Sequence, residues 1–373
     1  MIDRSRLASL RAAEEDRFAD LHPRSADLAE QARGPLLAGV PMPWMTRWPG
    51  RFPVFFESAS GARLTDVDGT EYVDLCLGDT GAMTGHALPQ VTSALAERAS
   101  RGITTMLPSA DAVWVAEELA RRFGLPTWQL AMSATDANRF VLRFARHLTG
   151  RPRVAVMDWC YHGTVDETLA VLDDGRVVAR PGALGPQVPV AETTAVIPFN
   201  DADALDRRLA HGDVACLLME PALTNIGIVL PDPGYLEAVR EITRRHDVLL
   251  VIDETHTLCA GPGGATGAWG LDPDLLVVGK PIGGGVPCAA YGMTAEVADR
   301  LSGPMLGHEI DVAGVGGTLT GNALALAAIR ATLSTCLREE DFAVAIPLAE
   351  RFAAGVAGVI ADGSEEHTSR ERV

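Results

Sequence analysis

Of the 32 lysine and arginine residues in this chain, a single one is lysine, Lys280, in the stretch VVGKPIGGG. Arginine replaces lysine wherever only positive charge is needed. It cannot do so where an amine must lose its proton and attack a carbonyl, because guanidinium stays protonated while a buried ammonium shifts its pKa readily. Lys280 is therefore a candidate for Schiff-base chemistry, the alternative being compositional drift that left one lysine behind. Asp253 closes the apolar run VLLVI, 27 residues earlier. A carboxylate there is either a loop acid or helix cap, or the partner of a protonated ring nitrogen. Such an anion stabilises the protonated ring by about 1–3 pKa units and makes a pyridine ring a better electron sink.

Two further segments carry compatible chemistry. MSATDANRFVLRFARHLTG reads as a strand end, a polar turn and a helix. Its first-turn amides favour an anion, assisted by the hydroxyls of Ser133 and Thr135; an ordinary helix cap gives the same pattern. Tyr161-His162-Gly163 follows the apolar stretch RVAVMD and offers a flat ring to stack on another, or simple packing. An amine for an aldehyde, an anion for a ring nitrogen, a phosphate cradle and a stacking ring together meet the needs of pyridoxal 5'-phosphate.

The elements around these residues must hold them at one place. Residues 1–33 read as helical, 34–55 as irregular (rich in Pro, Gly and Trp), and the stretch around Asp68-Gly69 as a hairpin. Helices are predicted near 88–101, 110–123, 136–149 and 233–246. Apolar strands are predicted at WQLAMS, 153–158, 214–220, 248–254 and 274–279. Strands that are apolar throughout indicate a mostly parallel sheet with helices on both faces, an α/β fold. Ligands of such sheets bind beyond the carboxyl ends of strands. Ser133, Glu220, Asp253 and Lys280 each end or follow a predicted strand and so are expected at one rim.

Composition sets bounds. The chain has 373 residues, 47% hydrophobic and 22% charged, with net charge −17, which suits a large core and gives no basic block for nucleic acid. Six separated cysteines without a CxxC pair indicate buried thiols in a reducing compartment rather than disulfides or a metal site. The charged N-terminal helix is unlike a signal peptide, and no uninterrupted apolar run of about 18 residues suggests a membrane span. The expected location is the cytoplasm.

These segments together resemble class III pyridoxal-phosphate aminotransferases, and most closely the glutamate-1-semialdehyde aminomutase-like branch. The likeness runs from about residue 53 to about 335. GARLTDVDGTEYVDL and GHALP resemble the family's opening hairpin and Gly-His-x-x-Pro; SATDAN its Ser-Gly-Thr-Glu-Ala phosphate loop; and CYHGTVDE its Tyr-His-Gly. MEPALTNIGIVLPDPGYLEAVREI, VIDETHT, GKPIGGGVPCAAYGM and GGTLTGNALALAA resemble the later family segments in order. The resemblance implies a fold-type I transferase with an N-terminal segment (1–62), a large cofactor-binding domain (63–312) and the start of a small domain (313–373). It implies that Lys280 carries the cofactor as a Schiff base and shuttles a proton, that Asp253 meets the ring nitrogen, and that Tyr161 lies on the ring face. Ser133, Ala134 and Thr135 would hold the phosphate, Asn225 and Glu220 the wall near the ring oxygen, and Thr318 would reach the phosphate of a neighbouring subunit in a homodimer. The implied activity moves an amino group between a small-molecule amino donor and a keto acid. The alternatives are an aminomutase of the glutamate-1-semialdehyde type and a truncated cofactor-binding protein without activity.

Several positions depart from the family pattern. Ala134 stands where glycine is usual. His256 stands where Gln or Met is usual, and reads as a contact to cofactor or substrate carboxylate or as a satisfied rim histidine. Ala323 replaces a proline, with little consequence expected. Arg47 and Arg51 are candidates for a substrate carboxylate, Trp44 and Trp48 for an apolar pocket wall or plain packing, and His162 for a substrate-side contact. The segment after Tyr161-His162 lacks the Gly/Ser run of an aminomutase gating loop. At the end, GSEEHTS resembles the translation of a sequencing adapter, so residues from about 363 are read as non-native and the small domain as cut short; an uninterrupted native reading frame ending at Val373 would refute this.

Overall fold

A computed structural model describes residues 3–185, 188–306 and 314–370. The expected boundary at 312–313 lies outside them. The packing divides between Leu88 and Pro89, later than the boundary after residue 62 expected from the sequence.

The first unit contains helices α1 (Arg4–Leu21) and α2 (Pro23–Ala32) and a three-stranded antiparallel sheet, β1 (Phe56–Ser60), β2 (Arg63–Asp66) and β3 (Glu71–Val73). The helical run expected over 1–33 breaks at His22, because Pro23 cannot continue a preceding helix and instead opens a new one. The hairpin turn supplies the missing partners: Asp68 accepts from the α2 amides of Arg24 and Ser25 at 2.7 and 3.0 Å. The hairpin therefore belongs with the N-terminal helices.

The second unit runs α3 (Pro89–Ala99), α4 (Asp111–Phe123), β4 (Thr127–Ala131), α5 (Ala134–Thr149), β5 (Arg153–Met157), the hairpin β6 (Ala170–Asp173) and β7 (Arg176–Ala179), then α6 (Val190–Thr193) and β8 (Thr194–Ile197). It continues with α7 (Ala202–Leu209), β9 (Val214–Met219), α8 (Tyr235–Arg245), β10 (Leu249–Asp253), α9 (Gly264–Trp269), β11 (Leu275–Val278), β12 (Ala289–Met293), α10 (Ala295–Leu306), α11 (Ala323–Thr335) and α12 (Glu339–Arg370). Seven strands form one sheet in the order β4-β12-β11-β10-β9-β5-β8, with helices on both faces. Only β12 runs against its neighbours. The sequence reading missed this strand, and also β8 and the β6–β7 hairpin. Apolar throughout, β12 carries no sign of its direction.

All six residues of β9 are buried, as a strand covered on both faces requires. Helix α5 shows why the neighbouring helices form. Ala137, Phe140, Val141, Phe144 and Ala145 are buried at helical spacing, Ser133 caps its start, and Gly150 closes it in the left-handed conformation at φ 68°. Phe140 and Phe144 each lie 6.0 Å, ring to ring, from Tyr291 on β12.

Helix α12 is the one described element whose length and composition bear on membranes. Glu339–Ala361 is long and apolar enough to cross a membrane by length and composition; Phe342 near its start is buried, while its apolar middle is exposed. Val344, Leu348, Phe352, Val356 and Ile360 are exposed at four-residue spacing, which is one apolar stripe, and Glu350 and Arg351 interrupt the segment midway.

Phe144→Ala, which empties the contact between α5 and β12, is expected to cost about 3–5 kcal/mol. Urea unfolding of the cofactor-free protein reads it; an unchanged midpoint would remove this contact from the core.

Candidate active site

Parallel strands bring their carboxyl ends to one edge of the sheet. Asp253 ends β10 in register with Val277 of β11, and Lys280 follows two residues beyond the end of β11. Lys280 has φ 47°, a left-handed backbone that is costly for a residue with a side chain and often marks a functional position. Its Nζ lies 2.5 Å from His256 Nε2.

Asp253 is 2% exposed and fully engaged. Its Oδ2 accepts from Asn138 Nδ2 and pairs with His162 Nδ1, each at 2.9 Å. Its Oδ1 accepts from the Thr255 amide at 3.0 Å and from the Thr255 hydroxyl. Burial alone would raise this carboxyl, but His162, Thr255 and Asn138 outweigh it and hold Asp253 below the usual carboxylate value. Burial likewise works against a charged His162, yet Cys160 and Asp253 lift it well above the usual imidazole value. The result is a buried anion–cation pair. His162 was expected on the substrate side. At 1% exposure it cannot be reached by substrate, and it belongs behind Asp253.

The start of α5 is built by close approach. Ser133 Oγ accepts from the Asp136 amide at 3.2 Å, so this hydroxyl serves as the helix cap. The Thr164 amide donates to Thr135 Oγ1 at 3.2 Å. Gly163 has φ +79°, and a Cβ there would fall inside the Thr135 side chain and 3.0 Å from its Cα. A Cβ on Gly279 would lie 3.0 Å from the Ala134 methyl. The alanine that departs from the family's glycine is thus accommodated by a glycine one residue before the lysine. The Ala323 departure has a local reason as well: its N–H donates to Ile103 O at 3.0 Å, which proline cannot do.

Glu220 is buried beyond β9 and accepts from the Thr224 amide and hydroxyl; burial raises its carboxyl. Asn225 is exposed. Thr318 is exposed and lines a cavity of about 260 Å³ with residues 103–108 and 320–323. Arg47, Trp44 and Trp48 lie exposed in the first unit, and Arg51 there is paired with Asp16. Two residues at this edge were missed by sequence reading. Asn138 is a polar residue among the buried positions of α5, a signal that was available. Arg180 holds its guanidinium 6.0 Å from the Tyr161 ring and 5.4 Å from the Trp159 ring and donates to Cys160 O, and nothing in its sequence context marks it.

A family model for aminotransferase class-III matches residues 44–353. The chain belongs to the class-III aminotransferases. It is similar to the glutamate-1-semialdehyde 2,1-aminomutase 2 of Exiguobacterium sibiricum, 38% identical over 79% of this chain and 67% of that one. The glutamate-1-semialdehyde 2,1-aminomutase of Myxococcus xanthus is 37% identical over 82% and 71%. Among solved structures, a glutamate-1-semialdehyde-aminomutase from Pseudomonas aeruginosa matches with TM-score 0.94 and 49% identity, over 97% of this chain and 81% of that one. A lysine-to-alanine variant of that aminomutase was solved with PMP. An omega-transaminase from Sphaerobacter thermophilus matches with TM-score 0.81 and 31% identity, over 91% and 78%.

Pyridoxal 5'-phosphate is the cofactor of this class-III enzyme. The residues present fit it. Asn138 Oδ1, His162 Nε2 and Glu220 Oε1 are buried polar atoms without hydrogen-bond partners, each costly to leave unpaired. They surround an ionised carboxylate, and the opening amides of α5 favour a phosphate.

Two outcomes follow for the cofactor-free protein. Asp253, held low, adds stability above about pH 4 that is lost as pH falls through its folded value. His162, held high, adds stability below about pH 6.5 that is lost as pH rises through its folded value. His162→Gln should therefore lower Tm most at pH 5–6.5 (roughly the window in which both partners are charged) and progressively less in alkali. A Tm difference independent of pH would refute the charged pair. Gly163→Ala should cost about 2–4 kcal/mol and weaken cofactor binding at least about tenfold, measured by urea unfolding and equilibrium dialysis.

Proposed function

We propose that the chain is an aminomutase of the glutamate-1-semialdehyde type, moving an amino group between adjacent carbons of one molecule. Curated relatives of that name at 35–38% identity and the 49%-identical aminomutase structure support this finer reading within the class. The observation that carries the chemistry is the sole lysine at the edge of the parallel sheet, one strand from an ionised Asp253.

The bound cofactor supplies an electron sink for a carbanion next to the amino group. In this reading Lys280 Nζ attaches the cofactor and later takes a proton from one substrate carbon and returns it to another. Asp253 would meet the ring nitrogen as an anion, kept ionised and oriented by His162 and Asn138. Tyr161 would lie on the ring face. Ser133, Ala134 and Thr135 present the opening of α5 to the phosphate, with Thr318 of a second copy completing it in a homodimer. Glu220 and Asn225 form the wall near the ring oxygen. Arg47 and Trp44 remain substrate-side proposals.

One observation favours transfer to a separate keto acid. The segment after Tyr161 forms the β6–β7 hairpin and lacks a Gly/Ser gating run. Turnover separates the two readings. With glutamate 1-semialdehyde alone, the aminomutase converts it steadily to the isomer carrying the amino group on carbon 1. Turnover only when an amino donor and a keto acid are both supplied would replace this reading by the transaminase. Borohydride reduction of the loaded enzyme should fix the cofactor on Lys280, and Lys280→Arg should lower turnover at least about a thousandfold. Absence of label on Lys280 would overturn both readings.

A further inference from the structure

The contact between Lys280 Nζ and His256 Nε2 joins a strong base to a weaker one at 2.5 Å. We propose that His256 is the proton partner of Lys280: its neutral imidazole accepts from the ε-ammonium, aims it, and strengthens the amine as a base. The inference deepens the reading of Lys280 as the reacting group and rests on it.

The geometry has three supports. His256 follows Asp253 by three residues, at the start of the turn Thr257–Ala260, and is half-buried beside the half-buried lysine. The left-handed backbone at Lys280 and the tight fit of Gly279 on Ala134 restrict where the lysine stem can go. The nearby carboxylates are committed elsewhere in their described hydrogen bonds. Asp253 is bonded to His162, Asn138 and Thr255. Glu254 accepts from Thr257, Ala265 and Thr266, and Glu220 from Thr224. The Cys288 thiol, also close by in sequence, donates to Val286 O, and the elements packed on the Lys280 turn and on β11 bring Arg330, Tyr291, Asp136 and Arg139.

Free lysine holds its proton to about pH 10.4 and free histidine to about 6.5. The proton shared by the pair therefore belongs on Nζ, the stronger base, with Nε2 as acceptor. When Lys280 takes a proton from a substrate carbon, the new ammonium is stabilised at once by Nε2. When it gives the proton up, the lone pair returns to Nζ and the imidazole stays neutral. No co-reactant is needed. A hydrogen bond to the charged form favours that form, so Nε2 holds and aims the proton that Lys280 has just taken.

Because Lys280 is the only lysine in the chain, protein grown on lysine labelled with carbon-13 at Cε gives one side-chain signal, readable without cofactor or turnover. In the cofactor-free wild type the signal should titrate in two steps, the smaller reporting His256. In His256→Met the smaller step should vanish and the main midpoint fall by about one pH unit. His256→Gln keeps an acceptor and should recover most of that fall. A single step in the wild type, or a midpoint that stays or rises in His256→Met, overturns the proposal. The wild-type titration decides it even if His256→Met does not fold, and borohydride labelling of Lys280 tests the underlying function separately.

Discussion

The site depends on keeping one carboxylate charged where water cannot reach it. Asp253 sits at the end of a buried strand, where burial by itself pushes the carboxyl's pKa upward. Three hydrogen bonds from Asn138 and Thr255 and a fourth from a buried imidazolium reverse that tendency. Removing either neighbour would push this carboxyl upward, and a bare buried charge would destabilise the fold. His162 and Asn138 therefore matter to chemistry that neither of them touches. Their placement fixes where the Tyr161 loop and the start of α5 must lie.

Close backbone approach is the second constraint. The turn after β5 meets α5 at Gly163, and the strand end before Lys280 meets the same helix at Gly279. The first leaves no room for a side chain and the second is tight. Helix α5 thus locks two loops to one another, and its opening turn faces the same edge of the sheet as the amine and the carboxylate. Changing the family's glycine to Ala134 adds one methyl group at this junction, and the fit on Gly279 absorbs it.

Around this junction the chain departs from its relatives in ways that have local reasons. Ala323 gives an amide to Ile103 that a proline would have withheld. His256 brings a second titratable nitrogen to the only lysine. The β6–β7 hairpin follows the Tyr161 segment, and Arg180 at its end holds its guanidinium near the Tyr161 ring. Each change alters the surroundings of the reacting groups while leaving the amine, the anion and the helix terminus in place.

The sequence alone determined the class of fold and the cofactor class, because the patterns that carry them are written locally. Apolar runs at strand length, the helical spacing in α5 and the solitary lysine are all visible along the chain. The direction of β12 was not legible, since a strand buried on both faces looks the same whichever way it runs. Nor could the sequence separate the role of His162 from that of Tyr161 beside it. Neighbouring side chains on an extended segment point opposite ways, and only packing decides which one turns inward to Asp253, 91 residues away. The contacts of Asn138, Arg180 and His256 were decided in the same way, by tertiary structure, because each joins residues that share no sequence pattern and meet only when the sheet brings its strand ends together.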